Sequence, residues 1–184
     1  MADLRLWATE VADIRAIAVV GSYARGACRP GSDLDLVLLC ERPDRFGPWL
    51  AEVPPLAPAR FLHRRAWGPM TELRLRRRSG LHLDVGVAPL TWATVEPLDL
   101  GTARVLRDGV RIVHDPDRLL AEAAKAAGTT PNASYGEWLP DKFTAPGPNV
   151  CAPDNAARTA PPTAQGQRRV VSGQSPSGNG RLLE

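Results

Sequence analysis

Gly21-Ser22-Tyr23-Ala24-Arg25-Gly26, followed after a short loop by Gly31-Ser32-Asp33-Leu34-Asp35-Leu36, is the stretch on which the reading of this chain turns. The run Ile14 to Val20 before it is short and apolar and ends at Gly21, which predicts a buried strand. A strand, then Gly-Ser, then a short helix is the setting of a phosphate turn. Gly21 allows close backbone approach, and Ser22 offers a hydroxyl and an amide at a helix start, where anions are favoured. Leu34 to Leu39 gives the second strand. Residues two apart on a strand point the same way, so Asp33 and Asp35 present both carboxylates on one face. Two like charges that close are costly unless a cation sits between them, and hard oxygen ligands favour Mg²⁺.

A third carboxylate on a neighbouring strand completes such a site, and Asp84 is the best placed. It stands in the otherwise apolar run Leu83-Asp84-Val85-Gly86-Val87, where an acid needs a partner. Glu72 to Arg77 and Leu81 to Val87 read as two antiparallel strands. A three-residue loop, Arg78-Ser79-Gly80, puts Gly at the left-handed position such loops need and pairs Leu75 with Leu83 and Leu73 with Val85. The other face then sets Arg74 beside Asp84 and Arg76 beside His82. Arg74 is thereby a candidate for the charge of a triphosphate, with a solvated strand face as the plain alternative. Arg25 reads equally as a phosphate contact or as a surface ion-pair partner. The cluster Arg64, Arg65, Arg74, Arg76, Arg77 and Arg78 shows no interleaved aromatics, so nucleic acid is not the expected partner. Trp7, Trp49, Trp67 and Trp92 read as core or interface residues, and Cys28 and Cys40 as packing residues.

Around this centre, Leu4, Trp7, Val11 and Ile14 recur at helical spacing and predict a first helix over about Ala2 to Asp13. Phe46, Trp49, Leu50 and Val53 fit one helical face behind Asp44 as N-cap, with Gly47 and Pro48 against it. Thr91 is a cap for a turn around Trp92 to Val95. Asp108-Gly109 makes a turn before an edge strand, Val110 to Val113. Asp115 as N-cap, Pro116 as first helical residue and Gly128 as stop frame a last helix. These elements give an α/β (α+β) class: a small mixed, largely antiparallel sheet flanked by helices, over residues 1–128. From Thr129 to Glu184 the chain is rich in Pro, Gly, Ser, Thr, Asn and Gln, and such a segment buries too little apolar surface to offset its ordering entropy. Residues 129–184 are therefore expected to be a disordered tail.

The 184 residues carry a formal charge of only +3, which gives no global basic field. The three cysteines form no CxxC pair. The start Met1-Ala2-Asp3-Leu4-Arg5 lacks the charged region and apolar core of a signal peptide, and no apolar run is long enough to span a bilayer, so a cytoplasmic protein is expected.

The pattern G-S-x-A-R-G, then G-S-D-x-D-L, then a later apolar strand carrying Asp resembles the polymerase-β-like nucleotidyltransferase superfamily, especially its minimal nucleotidyltransferase branch, over roughly Ile14 to Val87. The resemblance implies a nucleotidyltransferase fold in which Gly21 and Ser22 hold the triphosphate. It further implies that Asp33 and Asp35 bind two Mg²⁺ and that Asp84 helps bind metal and activate the acceptor. It implies transfer of NMP, with ATP as the usual donor, to a hydroxyl of a small molecule, as in aminoglycoside-modifying relatives, or of a protein, as in antitoxins that adenylylate a toxin. Relatives that modify antibiotics usually carry a helical acceptor-binding domain, whereas the C-terminal third here is expected to be disordered. The competing expectation is a catalytically weak binding module that keeps the fold and acts through a protein partner.

Overall fold

The structure, a computed structural model, describes residues 2–132 of the chain. The tail expected over 129–184 therefore lies, after Asn132, outside the described residues. In chain order the elements are α1 (Ala2–Glu10), β1 (Ile14–Val20), α2 (Gly21–Ala24), β2 (Leu34–Cys40), β3 (Ala59–Trp67), β4 (Met70–Arg77), β5 (His82–Pro89), α3 (Leu100–Arg107), β6 (Val110–His114) and α4 (Leu119–Ala126). Among the described residues the strands form one sheet in the order β3-β4-β5-β2-β1-β6. Only β2 and β5 run parallel, and every other neighbouring pair is antiparallel. This is the mixed, largely antiparallel α/β architecture that the sequence implies.

The sheet is covered unevenly. One face packs Ile17, Leu34, Leu36, Leu38, Leu73, Leu75 and Leu83 against Leu4 and Ala8 of α1 and against Phe46, Leu50 and Val53. The other face packs Ala16, Ala18, Val37, Leu39 and Ala88 against Ala103 and Leu106 of α3 and Leu120 and Ala123 of α4. The central strands β1 and β2 are thus buried on both sides, which is why they read as continuous apolar runs rather than alternating ones. The second layer of helices sits over β1 and β6. On β4 and β3 the same face carries polar residues instead, and β3 is half-buried or exposed along its whole length.

The β4–β5 hairpin has the expected register, pairing Leu75 with Leu83, Leu73 with Val85, Arg74 with Asp84 and Arg76 with His82. Arg77 N donates to Leu81 O at 2.8 Å, and Gly80 takes φ +89°, so the loop is the three-residue one with Gly left-handed.

Several expectations give way. Phe46 to Val53 is not one helix behind Asp44 but two short 3₁₀ turns, Pro43–Arg45 and Pro48–Glu52, with Gly47 extended between them. Pro48 disfavours the helical region for Gly47 and has no N–H to donate, so the apolar face is buried without a continuous helix. The first helix stops at Glu10 rather than Asp13. The turn at Leu90–Ala93 follows Pro89 and has no side-chain cap, so Thr91 lies within it. The last helix starts at Leu119, behind a left-handed Arg118 at φ 59°. Asp115 still serves that helix, because Ala121 N donates to its Oδ2 at 2.9 Å. Gly128 does stop it: Gly128 N donates to Lys125 O and Thr129 N to Ala124 O, the paired bonds of a Schellman end. Two elements had no prior reading, the edge strand β3 and the helix α3, which Asp99 caps by accepting from Thr102 N at 2.9 Å. The folded unit also continues past Gly128, since Asn132 N donates to Val110 O at 2.9 Å.

Candidate active site

The sheet register brings the acids together. Asp35 of β2 lies beside Asp84 of β5, Asp84 beside Arg74 of β4, and Arg74 beside His63 of β3, a single row across four strands on one face. On the other side of Asp35 the row meets Val20, the last residue before the Gly21 turn. Asp33, just ahead of β2, pairs with the Arg74 guanidinium. His82 Nδ1 stands 3.5 Å from the other oxygen of Asp33. Arg74 Nε also faces Asp84 Oδ1 at 3.4 Å, yet that oxygen is buried and no hydrogen bond reaches it. The contact is an ion pair without hydrogen-bond geometry, so Asp84 keeps an unsatisfied lone pair.

Electrostatics follow from this crowding. Burial pushes the Asp35 carboxyl from 3.8 up to about 6, and Asp84, Asp33 and Glu72 push in the same direction against Arg74. Burial likewise raises Asp84, with Arg74 opposing and Glu72 and Asp33 adding to the rise. Two neighbouring acids that resist ionisation mark a site where negative charge is concentrated without a matching cation.

The turn is built against this row. Gly21 takes φ +68°, and a Cβ there would lie 2.9 Å from Asp35 Oδ2, so the turn's backbone passes directly over the carboxylate. Only glycine combines that approach with a left-handed backbone. The turn is tied down from β6: Gly21 N donates to Gly109 O at 3.1 Å. Arg111 Nε donates to Ala24 O at 2.8 Å, and Asn132 Nδ2 donates to the same oxygen at 2.6 Å. Gly109 is itself required, since a Cβ on it would meet Arg25 Cγ at 2.7 Å. Ser22 sits half-buried at the start of α2.

Gly21, Asp33, Asp35, Asp84 and Arg74 thus gather at one place, with Ser22 next to Gly21. Arg25 points elsewhere: its Nη1 donates to Asp108 O at 2.5 Å and pairs with Asp108 Oδ2 at 2.5 Å, holding the Asp108-Gly109 turn.

The sequence from residue 5 to residue 101 matches the family model described as a nucleotidyltransferase domain, more than half of the chain. The chain belongs to this family. The nucleotidyltransferase match includes the turn, both acids of the Asp33-Leu34-Asp35 pair, and Asp84. No curated protein matches the chain. Among the described residues no helix of this nucleotidyltransferase domain is long and apolar enough to cross a membrane. Among the described residues no three His, Cys, Asp or Glu side chains are grouped closely enough to enclose a cation, and Asp33 is paired with Arg74.

Three contributors escaped the sequence reading. Glu72 faces the same side as Arg74 and adds to the negative field on Asp35 and Asp84, and the period of two along β4 was signal enough to find it. His63 carries no local signal, because its place depends on β3, and Gly109, legible as a turn residue, gives no sign in sequence of its bond to Gly21.

Proposed function

We propose that this domain transfers an NMP unit from a nucleoside triphosphate, ATP being the donor that the family resemblance implies, to an acceptor hydroxyl. The acceptor oxygen forms a bond to the α-phosphorus while the bond from that phosphorus to the β-phosphate bridging oxygen breaks. Pyrophosphate leaves with the electron pair. The hydroxyl proton passes to the Asp84 carboxylate, which stands beside Asp35 in the carboxylate row.

The observation that carries this reading is the alignment of Asp35 and Asp84 on adjacent strands with the Gly21 backbone packed over Asp35. It sets the Gly21 turn and the acid pair side by side. Gly21 and Ser22 hold the triphosphate through backbone and hydroxyl groups, and Arg74 is within reach of its charge once it leaves Asp33.

The donor set suits a hard divalent ion. All the candidate ligands are carboxylate oxygens, one buried oxygen of Asp84 lacks a hydrogen bond, and burial, with the neighbouring acids adding to it, raises Asp35. Asp33, Asp35 and Asp84 are the residues that would hold Mg²⁺, two ions by the resemblance. Bound Mg²⁺ supplies charge stabilisation of the phosphates and acidifies the acceptor hydroxyl.

Incubation with ATP labelled at the α-phosphate, Mg²⁺ and a hydroxylated acceptor is expected to give a labelled adduct and pyrophosphate. The double variant Asp33→Ala, Asp35→Ala is expected to give neither. Activity retained by that variant sinks the assignment.

A further inference from the structure

We propose that Asn132, together with Arg111, is a positioning residue for the donor: the two side chains hold the Ala24 carbonyl and so set the Gly21–Ala24 turn in the form that receives the triphosphate. The donor role of the turn rests on the nucleotidyl-transfer reading above, while the coupling of Asn132 to the turn does not.

α2 is too short to set its own orientation. It spans four residues, Gly21–Ala24, about a single helical turn. A first turn fixes several backbone dihedrals for little hydrogen bonding, so its conformation depends on ties from outside. Val20 at the N-cap makes no side-chain bond to it. Tyr23 and Ala24 are buried in the core, but apolar burial is non-directional and seats the turn without aiming it.

The ties that aim it come from one stretch of chain. At its start, Gly21 N donates to Gly109 O at 3.1 Å. At its end, Ala24 O accepts from Arg111 Nε at 2.8 Å and from Asn132 Nδ2 at 2.6 Å. A carbonyl oxygen has two lone pairs, and two donors occupy both. Ala24 is fully buried, so water does not replace a donor that is lost there.

The two donors arrive by different routes. Arg111 stands on β6 opposite Val19, and Val110 opposite Val20, so strand pairing itself carries the guanidinium to the turn. Asn132 comes from beyond α4. After the helix stops at Gly128 the chain returns to β6, where Asn132 N donates to Val110 O at 2.9 Å and its amide side chain meets Ala24. Gly109, Arg111 and Asn132 all follow residue 101, where the nucleotidyltransferase match ends. The matched span supplies the turn, and the stretch after it supplies the alignment. Asn132 is exposed and belongs to neither apolar cluster, so its contribution lies in these two hydrogen bonds.

The test compares three substitutions at Asn132 in the full chain. Asn132→Asp keeps the shape and the backbone bond, but its carboxylate cannot donate to Ala24 O and competes for the Arg111 guanidinium. It is expected to weaken binding of a fluorescent ATP analogue, read by anisotropy, about tenfold and to speed amide exchange at Arg25, Gly26 and Ala27 by a similar factor. Those three amides bond to the carbonyls of Gly21, Tyr23 and Ser22 and so report opening of the turn. Asn132→Ala leaves the Arg111 bond and is expected to weaken binding about threefold. Asn132→Gln keeps an amide donor at an exposed position and is expected to stay within about twofold of the parent. Asp99→Ala is the control: it removes the cap of α3 and none of the bonds to α2, and is expected to lower the melting midpoint while leaving both readouts unchanged. Unchanged exchange in Asn132→Asp overturns the inference, as does faster exchange with unchanged affinity for the analogue. A binding loss that Asn132→Gln shares in full, or that Asp99→Ala reproduces, overturns it too. Failure of the analogue to bind the parent chain, with exchange still faster in Asn132→Asp, overturns the donor reading and leaves the coupling standing.

Discussion

The centre of the sheet and its β3–β4 edge solve opposite problems. At the centre, β1, β2 and β5 are covered closely enough that acids placed among them, Asp35 and Asp84, resist ionisation. At the edge, arginines remain exposed and the strands carry little core on their polar face. The centre holds acids in an unfavourable electrostatic setting, whereas the edge leaves arginine charge exposed to solvent.

The strongest way to break the comparison is Asp84→Asn, which keeps shape and hydrogen-bonding capacity but removes the carboxylate proposed as the base. Turnover, read as pyrophosphate release, is expected to fall by about 10²–10⁴ while the ATP analogue still binds within a few-fold. A loss under tenfold would place the proton elsewhere and reduce Asp84 to a partner of Arg74. Gly21→Ala comes next. A methyl 2.9 Å from Asp35 Oδ2 on a left-handed backbone is expected to cost about 1–2 kcal/mol of stability and to weaken donor binding at least tenfold. An unaffected variant would show that the turn does not press on the acid row.

Asp35→Asn tests the strain itself. Asp35 is raised from 3.8 to about 6, so between those values the folded chain holds a proton that the unfolded chain has lost. Stability of the metal-free protein therefore falls as pH rises through that window. The amide that replaces the carboxyl cannot ionise, so the variant is expected to lack that fall and to melt a few degrees above the parent at pH 7, in EDTA, while losing turnover. A variant that melts lower at pH 7 would mean that Asp35 is a net stabiliser, and the contrast between centre and edge would dissolve.

The same contrast explains what could be read without coordinates. β1, β2 and β5 announce themselves because burial on both faces demands apolar runs, and the three acids stand out against them. The hairpin register was recoverable because Gly80 fixes the loop and the loop fixes which residues face each other. β3 was not recoverable: Ala59–Trp67 is exposed at the sheet edge, so nothing forces an alternating pattern on it. Without β3, neither His63 beside Arg74 nor Trp67 beside Glu72 can be placed. The segment Phe46 to Val53 shows the converse error, in which apolar spacing is real and burial follows it, but Gly47 and Pro48 break the helix that the spacing implies.

Arg25 gives the smallest expected effect and sharpens the boundary between donor turn and scaffold. In sequence it sits in the motif and reads equally as a phosphate contact or an ion-pair partner. In the fold its guanidinium turns to Asp108, with side chains 41% and 61% exposed, and its stem packs beside Gly109. Exposed pairs of this kind contribute at most about 1 kcal/mol. Arg25→Ala is therefore expected to lower stability by less than that and to change affinity for the ATP analogue by under about threefold. Because Gly109 O holds Gly21 N, any effect on the donor should travel through the turn and be matched by Asp108→Ala. A tenfold loss of nucleotide affinity in Arg25→Ala, not reproduced by Asp108→Ala, would mean that Arg25 leaves Asp108 for the phosphates when the donor arrives.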